Sequence, residues 1–76
     1  MKTEPDPQPW NKQAANFLKS EIAREGIKYE ELCLRLKTLG IEEQYKGLAN
    51  KINRGSFSFA FFLQCMKAIG KHEIHI

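Results

Sequence analysis

Six polar side chains within eleven residues could do chemistry: Gln44, Tyr45, Lys46, Asn50, Lys51 and Arg54. The carboxamides of Gln44 and Asn50 can each give and take a hydrogen bond at the N6 and N7 edge of adenine. Lys46, Lys51 and Arg54 suit phosphate oxygens, and any of them can reach guanine. Tyr45 can stack on a sugar or cover the helix end. At helical spacing Gln44, Lys46, Asn50, Lys51 and Arg54 fall on or near one side, while Leu48, Ala49 and Ile52 fall on the other. Such a helix matches what the major groove of duplex DNA accepts. The plain alternative for each residue is a solvated helix face.

The elements that would hold this segment follow from apolar periodicity and glycine. Ala14, Phe17, Leu18 and Ile22 predict a first helix starting near Trp10 and stopping at Gly26. Trp10 is expected to lid the bundle end. Tyr29, Leu32, Cys33, Leu36 and Leu39 predict a second helix, with Gly40 as its C-cap. The third runs over about Glu43 to Asn53 and breaks at Gly55; Ser56 or Ser58 then caps a fourth that runs to Ile69. Residues 1–9, with Pro5, Pro7 and Pro9, read as a disordered arm, residues 10–70 as the domain and residues 71–76 as a tail. The expectation is an all-α bundle of four or five helices, with Glu73 to Ile76 as the one candidate strand. Helices two and three form the natural helix-turn-helix pair, and small Cys33 suits their close crossing.

Size and charge narrow the function classes. At 76 residues only roughly 60% of the unfolded surface can be buried, too little for a substrate cavity with a catalytic constellation. No enzyme activity, cofactor or small-molecule substrate is expected, since neither a phosphate loop nor a nucleophile arrangement can be assigned from spacing. His72 and His75 lack a third ligand, so no metal site is expected. Cys33 and Cys65 fall on apolar helical faces and read as reduced core thiols. Without an apolar run of membrane length or a signal-peptide core, the expected setting is cytoplasmic. Residues 1–43 hold seven Lys/Arg against eight Asp/Glu, a balance of −1, and residues 44–76 hold five against Glu73 alone, a balance of +4. That asymmetry points to a polyanion partner.

Gly26-Ile27, Glu30-Glu31-Leu32-Cys33 with Leu36, Ile52-x-Arg54-Gly55 and Phe62-x-x-Cys65-Met66-x-Ala68-Ile69-Gly70 together resemble the helix-turn-helix of lambda-repressor-like bacterial and phage regulators. A closer resemblance is to a small bacterial helix-turn-helix family known only as a domain of unknown function. It rests on Asn50-Lys51-Ile52, Arg54-Gly55, Phe57-Ser58 and Phe61-Phe62-Leu63-Gln64. The resemblance covers Trp10 to Gly70; the repressor likeness implies a lambda-repressor-like fold, sequence-specific binding of double-stranded DNA and a role in transcription regulation, while the closer family implies a fold without an established activity. Three residues or stretches depart from the repressor pattern. Lys28 replaces a Ser or Thr cap, a loss worth about 1 kcal/mol. The stretch Lys37 to Glu43 is longer than the usual turn, and Glu42 and Glu43 would face phosphates. The rival expectation is a protein-interaction module, antitoxin-like or a phage adaptor, that uses the same fold and its apolar fourth helix.

In helix four an inward stripe of Phe59, Phe62, Met66 and Ile69, with Leu63 or Cys65 beside it, would leave Phe61 and Ala68 on another side, next to Phe57. A homodimer, or a partner protein, is therefore expected at Phe57, Phe61 and Ala68, the alternative being that helix one or the Trp10 region folds over Phe61 within one chain. Ile74 and Ile76 would add to it by pairing the terminal segment as a strand with its symmetry mate.

Overall fold

Four apolar stripes separated by glycine-bearing turns become four helices in a computed structural model, which describes residues 9–70. The helices are α1 (Pro9–Arg24), α2 (Tyr29–Thr38), α3 (Tyr45–Arg54) and α4 (Phe59–Ala68). Pro9 takes the first helical position, where its missing N–H costs nothing. No strand occurs among the described residues; Glu73 to Ile76, and with them His75, lie outside these, as do residues 1–8 and His72.

Helix ends follow local chemistry. Ser58 caps α4, its hydroxyl accepting the Phe61 N–H at 3.0 Å, whereas Lys28 begins α2 with no side-chain cap. Glu30 and Glu31 in the first turn of α2 offset that loss through the helix dipole. The far end of α2 closes with two backbone bonds, Gly40 N–H to the Lys37 carbonyl and Ile41 N–H to that of Leu36, both 2.9 Å. Gly40 holds φ 85°, which this ending requires, and Ile41 then folds against the core. Six residues, 39–44, separate α2 from α3, and α3 begins two residues later than expected.

Each helix supplies an i, i+4 pair to one core: Leu18 and Ile22, Leu32 and Leu36, Leu48 and Ile52, Phe61 and Cys65. Met66, Ala68 and Ile69 complete it. α1 packs on α3, and α2 packs on both α3 and α4. Arg35 ties α2 to the end of α4, donating to the Ala68 carbonyl at 3.2 Å while pairing with Glu31 at 3.0 Å. One of the carbonyls left open at a helix end is thereby satisfied.

Several core assignments shift. In α1 the inward set is Ala15, Leu18 and Ile22, so Phe17 is half exposed and Trp10, 76% exposed, is no lid. Leu39, past the end of α2, is also exposed. In α4 and at its C-cap the expected inward residues Cys65, Met66 and Ile69 are buried and Phe62 packs against the core, but Phe61, 5% exposed, and Ala68 are buried too, while Phe59, 58% exposed, and Leu63 face out. The expected Phe61 interface is thus interior. Phe61 is drawn inward by the ring of Phe57, 5.7 Å away, and by the Lys51 ammonium, 4.9 Å from its centroid. Phe57 is half-buried, and Ile74 and Ile76 lie outside the described residues.

Gly55 joins α3 to α1. It caps α3 at φ 71°, and a Cβ there would collide with the backbone of Asn11, 2.6 Å from its carbonyl carbon. Both the left-handed conformation and the close approach demand glycine. Gly47, inside α3, has no heavy atom within 4 Å of where a Cβ would stand. In thermal or urea unfolding, Gly55→Ala should therefore lose about 3 kcal/mol or more. Gly47→Ala should gain roughly 0.5–1 kcal/mol. Equal effects of the two substitutions would contradict the packing of α1 on the α3 cap.

Candidate nucleic-acid interface

Leu48 and Ile52 turn one side of α3 inward, so helical geometry sends the opposite side to solvent. Lys46, Asn50 and Arg54, spaced i, i+4, i+8, form a ridge along that outer side, with Gly47 and Asn53 flanking it; all five are exposed. The sequence reading included Lys46, Asn50 and Arg54 and missed Asn53. Gln44 stands at the N-cap of α3 without using its side chain to cap it. Tyr45 leaves the ridge: its ring lies 6.2 Å from that of Tyr29 at the start of α2.

Lys51 occupies a different place from the one expected of a phosphate contact. Its ammonium bonds the Glu43 carboxylate at 2.6 Å and sits over the Phe61 ring. Glu43, whose side chain is only 11% exposed, therefore folds back onto α3 instead of pointing outward as a second repelling charge beside Glu42. Eight residues separate the two partners, so no helical spacing rule reveals the pair. The same carboxylate acts on both thiols. Burial, then Glu43, pushes Cys65 up to about 12, with Lys51 opposing; burial, Glu43 and Glu30 raise Cys33. Cys65 is fully buried, but Cys33 is half-buried, not enclosed as expected. Both shifts favour the protonated thiol.

Two depressions flank Arg54. The smaller, about 290 Å³, is lined by Gly47, Asn50, Lys51, Arg54, Ser56 and Phe57. The larger, about 640 Å³, lies between α1 and the end of α3, where Lys12, Asn16 and Lys19 face Asn53, Arg54 and Ser56. The i, i+4, i+7 spacing of the three α1 residues was visible in the sequence; what it faces was not.

Residues 10–74 match the family described as Domain of unknown function (DUF6471). The chain belongs to that family. No curated protein and no solved structure matches it. The family carries no assigned activity, so function must be argued from the site itself. Among the described residues, no helix is long and apolar enough to cross a membrane.

The raised Cys65 thiol makes stability pH-dependent with a definite sign. Between the ordinary thiol value of 9.0 and about 12, the unfolded chain has lost a proton that the folded chain keeps. Folding stability should therefore fall as pH rises through that window. In urea melts at stepped pH, Cys65→Ala should flatten the fall relative to wild type. An unchanged slope would place the cause elsewhere.

Proposed function

We propose that this chain is a lambda-repressor-like helix-turn-helix module that binds double-stranded DNA sequence-specifically through α3, as a homodimer acting in transcription regulation in the cytoplasm. The observation that carries the reading is the outer ridge of α3, where Lys46, Asn50 and Arg54 stand exposed in one line. Amide and cation together serve the two tasks of such a helix, base-edge hydrogen bonding and phosphate neutralisation. Gly47 adds to this. It lies beside the ridge where the fold has room for a side chain, as a surface approached closely by another molecule would require. The return of Glu43 to Lys51 takes away part of the electrostatic objection to docking.

The homodimer reading now rests on a different surface. Phe17, Phe62 and Phe59 form a chain of rings, each 5.9 Å from the next, and Leu63 is exposed on the same helix as the last two. On α1 the Trp10 and Phe17 side and the Lys12 and Lys19 side lie on opposite flanks of the buried stripe. A second copy could cover the rings without masking the basic side, and a two-fold pair would supply the two heads that half-site recognition uses.

In fluorescence anisotropy with random-sequence duplex, Lys46→Ala and Arg54→Ala should each weaken binding to every sequence and flatten the salt slope by about 1. Asn50→Ala should relax sequence preference at a cost of about 1–3 kcal/mol on the preferred site. Gly47→Ala should lower affinity even as it raises stability. Binding unaffected by all four substitutions would exclude α3 as the reading element, and a wild type that binds partner proteins but no duplex would favour the interaction-module rival.

Sedimentation equilibrium should show a concentration-dependent dimer for wild type and a folded monomer for Phe59→Glu. A wild type monomeric at every concentration would contradict self-association through the ring cluster.

A further inference from the structure

The basic groove between α1 and the end of α3 shares Arg54 with the reading ridge and adds to it residues of α1 that the ridge does not use. Because Asn11 lies directly on Gly55, the start of α1 is held beside the C-terminal end of α3. Lys12, Asn16 and Lys19 then form one wall, and Asn53, Arg54 and Ser56 the other. No carboxylate lines this groove. Three cations outside the groove are paired, Arg24 with Glu21, Arg35 with Glu31 and Lys51 with Glu43. Lys12, Lys19 and Arg54 have no such pairing among the described residues and converge on a single concavity. Three cations interleaved with amides and a hydroxyl make a strongly donating lining, which suits an anion rich in oxygen acceptors.

The groove's shape and surroundings select the kind of anion. Lys12 and Lys19, seven residues apart on α1, spread their charge over roughly 10 Å. A compact ion would be met at one point, whereas a chain of regularly spaced charges would be met along that length. Arg54 and Ser56 also line the smaller depression that holds Gly47 and Asn50, so the two concavities adjoin at these residues. An extended ligand that passes Arg54 would reach the outer ridge of α3.

We infer that this groove clamps the sugar-phosphate backbone of the same duplex whose base edges the α3 ridge faces, with Lys12, Lys19 and Arg54 neutralising phosphates and Asn16, Asn53 and Ser56 donating to their oxygens. The inference rests on the proposed DNA binding and adds α1 to it. In this arrangement α1 fixes the orientation of the module on the duplex and carries no sequence information.

The test is the double substitution Lys12→Gln/Lys19→Gln, with Lys12→Arg/Lys19→Arg as the charge-preserving control and circular dichroism to confirm folding. In duplex binding at several salt concentrations, the Gln pair should lower the slope of log K against log salt by about 2. It should also lower affinity roughly tenfold per lysine at 0.1 M salt, equally for all sequences. The Arg pair should retain both slope and affinity. If wild type binds duplex with a salt-dependent affinity that the Gln pair leaves unchanged, the groove assignment fails while the α3 reading stands. If wild type binds no duplex, both fail. A saturable sub-millimolar site for inorganic phosphate on the protein alone, abolished by the Gln pair, would overturn the clamp in favour of a small-anion site.

Discussion

The contact on which the rest of the arrangement depends is the backbone of Asn11 resting on Gly55. A side chain at position 55 would occupy the space of that carbonyl, and the conformation that ends α3 there is itself one that glycine favours. Close approach at this single point brings α1 against α3 and buries Leu18 and Ile22 with Leu48 and Ile52. It also aligns Lys12, Asn16 and Lys19 with Asn53 and Arg54. A structural requirement thereby produces an electrostatic one: polar sides of two helices meet with no acid between them. In a chain this small, where stability is a narrow margin, one such contact can decide whether the basic surface exists at all.

Charge is sorted elsewhere by the same economy of space. Glu43 precedes α3, where an acid suits the helix dipole. Its carboxylate is nevertheless held against Lys51, and that ammonium also covers the ring of Phe61. One lysine thus quiets an acid, seats an aromatic side chain and stays out of the ridge formed by Lys46, Asn50 and Arg54. The consequence reaches the core, since Cys65 lies near enough to the carboxylate for its thiol to be pushed further up. Helix α1 divides its exposed surface in a comparable way, with rings on one flank of the buried stripe and lysines on the other.

Much of this order is legible in the chain. Glycines 26, 40 and 55, Ser58 and the i, i+4 leucines and isoleucines mark four helices and their junctions, because caps and apolar periodicity act over a few residues. Lys46, Asn50 and Arg54 are legible for the same reason, being one helical line. The exchange of Phe59 for Phe61 is not. Helix α4 is so rich in apolar residues that several stripes score alike, and the choice is made by the Lys51 ammonium and the Phe57 ring from outside the helix. Trp10 misleads by size alone, since a large aromatic dominates burial only when the bundle reaches it, and here it projects beyond the packed stripe. Asn53 and the lysines of α1 gain a role only when α1 meets α3, a juxtaposition forty residues apart in sequence that no local pattern encodes.

The central claim is that the outer side of α3 meets duplex DNA. Backbone amide shift mapping by nuclear magnetic resonance tests it most directly, by adding a mixed-sequence duplex to the labelled 76-residue chain at low salt. The account predicts that the largest perturbations fall on Lys46, Gly47, Asn50, Asn53 and Arg54, with those at Phe59 and Leu63 much smaller. Perturbations centred on Phe59 and Leu63 with α3 silent, or none anywhere while the protein stays folded, would contradict it.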